Sequence, residues 1–514
     1  MPTNYLSPGV YVEEVSSGVK PIAGVGTAVG AFVGIAEKGV IGKAVLVTNW
    51  SQYVSEFGGF IPNGYLAYAV YNFFAEGGTS CYVVRAASKD AAKSTVIVED
   101  SEGLNDLLMI NARSEGTWGN RISVEITEPS NKQPEGFKLT VKYMENNAFK
   151  DEYVEDDEKG VIVEEFDNLL LINVEEKINE VSAFVHVDVL VDLTVLENME
   201  KTPAKTTDAL FLTGGIDGIT GVDFLGRPDN MTGLHAFDVV DNINIVAMPD
   251  IADMVGSRDI ILGALNYCKL RKDCFFIADP PHGLTPSQVK EFKDGAGSYV
   301  GNAFNSSYGA LYYPWVFIND PLTGKKKLIP PSGCVAGTYA FVDSSRGVHK
   351  APAGTTDGYL DTVVGVERIV TKGEQEILNP AGINVIRSLP EGICIWGART
   401  LSADSEWQYV NVRRLLMYIE ESLDKGSQWV VFEPNDPSLW GKVKRNLTAF
   451  LSRVWRDGAL YGSVQEEAFF VKVDEENNPP AVRDAGQLII EVGVAPVKPA
   501  EFVVIRVSQK TLSK

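Results

Sequence analysis

The chain has little of what an enzyme, a metalloprotein or a membrane protein needs. Its 514 residues include only four histidines, His186, His235, His282 and His349. None stands in a recognisable acid–nucleophile setting, and neither H-E-x-x-H nor G-x-S-x-G occurs. The five cysteines, Cys81, Cys268, Cys274, Cys334 and Cys394, are odd in number and scattered, which excludes a disulfide framework. They read as small buried apolar residues of a chain made in a reducing cytosol. Cys268 and Cys274 lack a zinc spacing.

A long apolar run is also missing. The best candidate, residues 22–36, is cut by Gly24, Gly26, Gly30 and Gly34 and is too short for a membrane span. It is expected to be a buried strand, and no secretory signal pattern precedes it. Positive charge is scarce: 46 Lys and Arg stand against 68 Asp and Glu, a net charge of −22. That balance argues against a nucleic-acid partner and favours solubility at high local concentration. The stretch from Gly39 to Ala44 fails as a phosphate loop, because Glu37 stands at the first glycine position and Ala44 replaces the magnesium-holding hydroxyl. Gly24-x-Gly26 lacks the third glycine of a dinucleotide site. The acidic run 151–165 has no calcium-loop pattern and reads as a solvated loop. No cofactor, metal ligand or catalytic residue is expected.

What is present is an α/β rhythm with an interruption. Residues 23–90 read as strand, loop, helix (65–77) and strand (81–85). Residues 91–205 change style, with short alternating runs at 94–98, 121–126, 137–144 and 161–166 spaced like antiparallel strands. From 206 to 388 the α/β pattern returns: strands at 244–248, 274–278 and 308–318, helices at 257–271 and 287–295. Alternating β and α segments predict a largely parallel sheet covered by helices. The first block would complete it, making the core discontinuous in sequence. Residues 389–494 form an α+β C-terminal domain. Its unit 393–473 is expected to hold two helices and three short strands, one of them at 428–432, followed by a strand at 487–494. Asn477-Asn-Pro-Pro480 looks like a hinge between them.

Both ends look like strands on tethers. Residues 1–22 hold Gly9, Val10, Tyr11, Val12, Glu13 and Val15, followed by a flexible Ser-Ser-Gly. Residues 495–514 hold Phe502, Val503, Val504, Ile505 and Val507 behind Pro496 and Pro499. A lone terminal strand must pair with a sheet, its own or a neighbour's. Expected acceptors are Phe469, Phe470, Val471 and Val473, with Leu488, Ile489, Ile490 and Val492. A strand of ~5 hydrogen bonds at ~1 kcal/mol each contributes about 5 kcal/mol, mostly offset by ordering the arm. Single joins are weak and a lattice of them is strong.

The most patterned stretch is the helix expected at 439–457. Trp440, Val443, Leu447, Phe450, Leu451 and Val454 fall on one face. Lys442, Arg445, Arg453 and Arg456 fall on the other, within roughly 80° of one another. Lys444 sits off that stripe. A basic ridge on so acidic a chain suggests either a solvated face or a partner with a negative surface.

Several of these stretches resemble contractile tail sheath proteins of phages and phage tail-like injection systems. They include SPGVYVEEVSSGVKPIAGVGTAVGAFVG (7–34), PPSGCVAGTYAFVDSSRGVHKAPAG (330–354), LNPAGINVIR (378–387) and WGARTLS (396–402). WQYVNVRRLLMYIEESLDKGSQWVVFEPND (407–436) and LWGKVKRNLTAFLSRVWRDGALYG (439–462) complete the set. The family typically carries Trp where His349 stands, so His349 is given no chemical role. The resemblance implies a core likened to subtilisin in fold, an inserted outer domain, an inner, tube-facing C-terminal domain and strand-donating arms. It implies a structural subunit that forms stacked hexameric rings around an inner tube and contracts on a baseplate signal, driving the tube through an envelope. Implied partners are copies of itself, the tube protein, baseplate and terminator or cap proteins, and paralogous sheath proteins of the same particle. Neither nucleic acid nor membrane insertion is implied. The chain would be made in the cytoplasm and end in an assembled particle. From the residues alone, an α/β hydrolase with a non-standard site and another strand-donating lattice, a capsid or surface layer, stay open.

Overall fold

In a computed structural model, residues 22–144, 161–195, 198 and 201–502 are described. The expected strand donors Gly9, Val10, Tyr11, Val12, Glu13, Val15, Val503, Val504, Ile505 and Val507 lie outside them. The chain divides into two compact units. Thr27–Arg413 make one, and Arg414–Lys514 with Met1–Gly26 make the other.

The larger unit is built on an eight-stranded sheet. Its six parallel strands run, in spatial order, Ile383–Leu389, Gly309–Tyr313, Phe275–Ala278, Ile245–Ala247, Gly30–Gly34 and Cys81–Arg85. Antiparallel strands close both edges, Gly392–Ile395 beside Ile383–Leu389 and Ala44–Val47 beside Cys81–Arg85. Gly30–Gly34 is buried at all five positions, as its unbroken small and apolar sequence requires of a strand covered on both faces. It lies between a strand of the first block and one of the third, so the sheet is discontinuous in sequence. Helices Ser257–Arg271 and Pro286–Asp294 follow the expected positions within one residue. Helix Ser332–Arg346 packs on helix Leu66–Ala75 through its glycines: a Cβ at Gly333 would come within 2.4 Å of Ala69 Cα, and one at Gly337 within 2.7 Å of the Phe73 carbonyl.

Three readings are corrected here. The expected single strand 308–318 is two, Gly309–Tyr313 and Val316–Asn319, divided at Pro314, which has no amide to donate to a ladder. Val316–Asn319 leaves the large sheet to pair with Lys326–Ile329 and Val363–Val366. The 392–395 strand, expected in the C-terminal unit, is an edge of the large sheet.

The interrupting block is β-rich, in two antiparallel sheets. One runs Leu210–Phe211, Ile122–Thr127, Phe137–Tyr143, Val161–Leu169 in order; the other runs Thr95–Glu99, Asp106–Ala112, Val185–Val189. They share a core that includes Leu108, Trp118, Val124, Leu139, Val174 and Val187. Helix Leu171–Asn179 and the strands Asp106–Ala112 and Val185–Val189 were not anticipated. Arg85 ties this block to the sheet. Buried to 1% exposure, it donates to the carbonyls of Ala36 (3.1 Å), Gly39 (2.9 Å) and Glu115 (2.8 Å). All five cysteines are buried, and none forms a disulfide.

Candidate functional site

The smaller unit carries every described residue that the sequence marks for assembly. Its organising element is helix Pro437–Arg456. Asp436 caps the helix, its side chain accepting the Leu439 amide at 2.8 Å, and Pro437 occupies the first turn, where no amide is needed. Arg453 and Arg456 fall in the last turn, where they complement the helix dipole. Leu439, Trp440, Val443, Leu447, Phe450, Leu451 and Val454 are all buried. Asn446 is buried on the same face at 3% exposure, and its Nδ2 has no hydrogen-bond partner among the described residues. Sequence periodicity passed over it because a single polar residue does not disturb a strong apolar stripe.

Lys442, Lys444, Arg445, Arg453 and Arg456 are all exposed. Among the described residues, none of the five forms a salt bridge. Arg453 Nη2 donates at 3.4 Å to the carbonyl of Ile22. This basic face is left without an acidic ion-pair partner among the described residues.

Beside the helix lies a sheet of two strands, Phe469–Lys472 antiparallel to Glu491–Val494. Phe469 and Val471 point inward and are buried, while Phe470 is 52% exposed and lies across Gly493. Val492 and Val494 are only half-buried. Among the described residues neither strand has a second strand beside it; an isolated bridge joins Leu460 to Pro496 just beyond. Two-stranded sheets are marginal alone, and open edges are templates for pairing.

The expected acceptors divide. Phe469, Phe470, Val471 and Val492 lie in these strands, and Val473 follows directly. Leu488, Ile489 and Ile490 precede the second strand, which is shorter than expected. The reason is Asn478. Fully buried, its side chain accepts the Ile489 amide at 2.7 Å and donates to the Ile489 carbonyl at 2.9 Å. An amide side chain thus takes the place of a strand neighbour, and the expected hinge 477–480 is an ordered turn leading into helix Pro480–Asp484. The expected strand 428–432 is instead a 3-10 turn, Gln428–Val430, followed by exposed residues, with Phe432 at φ 69°. Among the described residues no sheet takes in this stretch, and β-propensity without a neighbouring strand decides little.

Residues 22–26 belong with this unit. Ile22 is 2% exposed and close against Gly426; Val25 donates its amide to Ser422 Oγ at 3.2 Å. Gly24 passes so near Tyr418 that a Cβ would meet its hydroxyl at 2.1 Å. Phe502, the last described residue, is 73% exposed.

No group of three or more His, Cys, Asp or Glu among the described residues could hold a metal. No described helix is long and apolar enough to cross a membrane.

Residues 225–401 match the family model for the phage tail sheath protein central domain, and residues 402–510 match that for the phage tail sheath C-terminal domain. The tail sheath protein of Vibrio phage KVP40 is 23% identical over 252 residues, 46% of this chain and 37% of that protein. That of Burkholderia phage BcepMu is 28% identical over 288 residues, covering 50% and 58%. The chain therefore spans less than two thirds of the length of these relatives. The helical sheath of the anti-feeding prophage in its contracted state superposes with a TM-score of 0.58 at 25% identity, covering 98% of this chain and 100% of that one. With two consecutive domain matches reaching from residue 225 to residue 510, more than half of its length, the chain belongs to the phage tail sheath family.

Proposed function

We propose that this chain is the structural sheath subunit of a contractile phage tail-like injection system. It polymerises into stacked hexameric rings around an inner tube by exchanging strands with its neighbours, and the sheath contracts to drive the tube through a target envelope. The observation that carries this reading is the two-stranded sheet with open edges, in a chain whose residues 225–510 match both sheath domain models. An incoming strand from each arm, 1–22 and 495–514, would raise two strands to four and complete the cover of Val492 and Val494. The edges on offer are those of Phe469–Lys472 and Glu491–Val494.

The domain scheme belongs to the same reading: a subtilisin-like core from 23–90 and 206–388, an outer insertion 91–205, and an inner domain, expected at 389–494, whose start moves to 414 because residues up to Arg413 belong to the larger unit. Lys442, Arg445, Arg453 and Arg456 face an acidic tube exterior, an attachment that salt screens and contraction can break. Baseplate and terminator proteins bound the polymer at its ends, and paralogous sheath proteins share the particle. Synthesis is cytoplasmic, and the mature location is the assembled particle. Work is stored in the difference between two lattices, so no nucleotide is consumed in the stroke.

Electron microscopy of the purified full-length chain tests the reading. Helical tubes are expected; closed shells, flat sheets or only discrete small particles would overturn it.

A further inference from the structure

In doubly wound sheets ligands bind in the crevice outside the carboxyl ends of the strands, at the point where strand order reverses. Here that point lies between Gly30–Gly34 and Ile245–Ala247. The chain leaves Gly30–Gly34 to build Cys81–Arg85 on one side, and later places Ile245–Ala247 and then Phe275–Ala278 on the other. Facing it is the N-terminus of the ten-residue helix Leu66–Ala75, whose first amides lack intrahelical partners and carry the positive end of the dipole. Such a corner commonly receives a phosphate or carboxylate.

This crevice is already filled. Asp250, just past the end of Ile245–Ala247, turns its carboxylate into it. Oδ2 accepts the Ile35 amide at 2.7 Å, Oδ1 accepts the Tyr65 amide, and the Leu66 amide bonds the same group. Asp250 is 5% exposed, and among the described residues no Lys, Arg or His pairs with it. Tyr65, the N-cap residue, makes no side-chain cap, so the cap is supplied from 185 residues away. Gly34 leaves the room: a Cβ there would lie 2.4 Å from Asp250 Oδ2.

We propose that Asp250 is a built-in ligand. It occupies the place where α/β proteins of this strand order take the anionic group of a substrate, and it locks the first block of the chain to the third through backbone amides. A site for a nucleotide or phosphorylated metabolite is thereby closed, and the crevice becomes a fastening of the core.

Thermal unfolding of the full-length wild type, Asp250→Gly and Asp250→Asn tests this, in sodium acetate, in inorganic phosphate, and in sodium chloride of equal ionic strength. Asp250→Gly is expected to unfold several degrees lower and to recover part of that loss in acetate or phosphate but not in chloride. Asp250→Asn keeps the size but turns an N–H toward an amide donor, so it too should unfold lower, and the wild type and the Asn variant should show the same general salt response, phosphate included. Wild type stabilised by phosphate more than the Asn variant, beyond the general effect of the salt, would mean an open site. That result, an Asn variant matching wild type, or a Gly variant blind to both anions would overturn the proposal. Should the Gly variant not accumulate folded, the Asn variant and the wild-type salt series decide.

Discussion

Asp279 is a less fully satisfied buried carboxylate than Asp250. Its Oδ1 accepts the Ser332 amide at 3.0 Å, while Oδ2 is buried without a partner among the described residues. Burial pushes its carboxyl up to about 7, against an unfolded value near ~3.9. The folded state therefore keeps a proton that the unfolded state releases. Stability from this group falls as pH rises from about 4 to about 7 and is level above. Asp279→Asn should remove that slope. Denaturation midpoints measured at several pH values should converge with wild type at acid pH and exceed it at pH ~8, by about 1–3 kcal/mol. Asn478 is a residue whose role the sequence concealed: beside two prolines it reads as a break, whereas its side chain imitates a strand. Asn478→Ala should cost about 2–3 kcal/mol by leaving the Ile489 amide and carbonyl unpaired, read as a drop in denaturation midpoint.

Among elements, helix Pro437–Arg456 was legible almost to its ends because one face is continuously apolar and its cap is standard chemistry. Phe450→Ala should cost about 3–5 kcal/mol as a buried cavity, measured by chemical unfolding. Arg453→Glu with Arg456→Glu changes only exposed side chains. Sheath-only polymers should form as before, while extended sheath–tube complexes should be lost in micrographs; unchanged complexes would remove tube attachment as the role of the basic face. Short elements were less legible. Asp106–Ala112 is a nearly continuous apolar run whose partners, Thr95–Glu99 and Val185–Val189, are met only on folding, 10 and 79 residues away in the register pairs Val98↔Leu108 and Met109↔Asp188. Residues 428–432 have strand propensity and meet no strand among the described residues. The break at Pro314 was visible, yet a run of aromatic and β-branched residues on both sides masked it.

At the scale of the molecule, the parallel sheet and its discontinuity could be read from the order of β and α segments, since right-handed crossovers leave few arrangements. What could not be read was the filled crevice, because a carboxylate that reaches backbone amides far along the chain leaves no local pattern. Removing residues 1–20 should leave a folded subunit, with unchanged circular dichroism and unfolding midpoint, that forms no tubes; polymerisation at the wild-type level would dismiss the donated-strand role. Cutting on through Gly34 should instead abolish folding, since it deletes a central strand of the sheet. That strand also fixes the timing of biosynthesis. Gly30–Gly34 is made about 210 residues before its neighbour Ile245–Ala247, a delay of ~10 to 40 s at common translation rates. Throughout that interval an apolar strand waits with one flank bare, so the nascent chain needs shelter before it can be recruited.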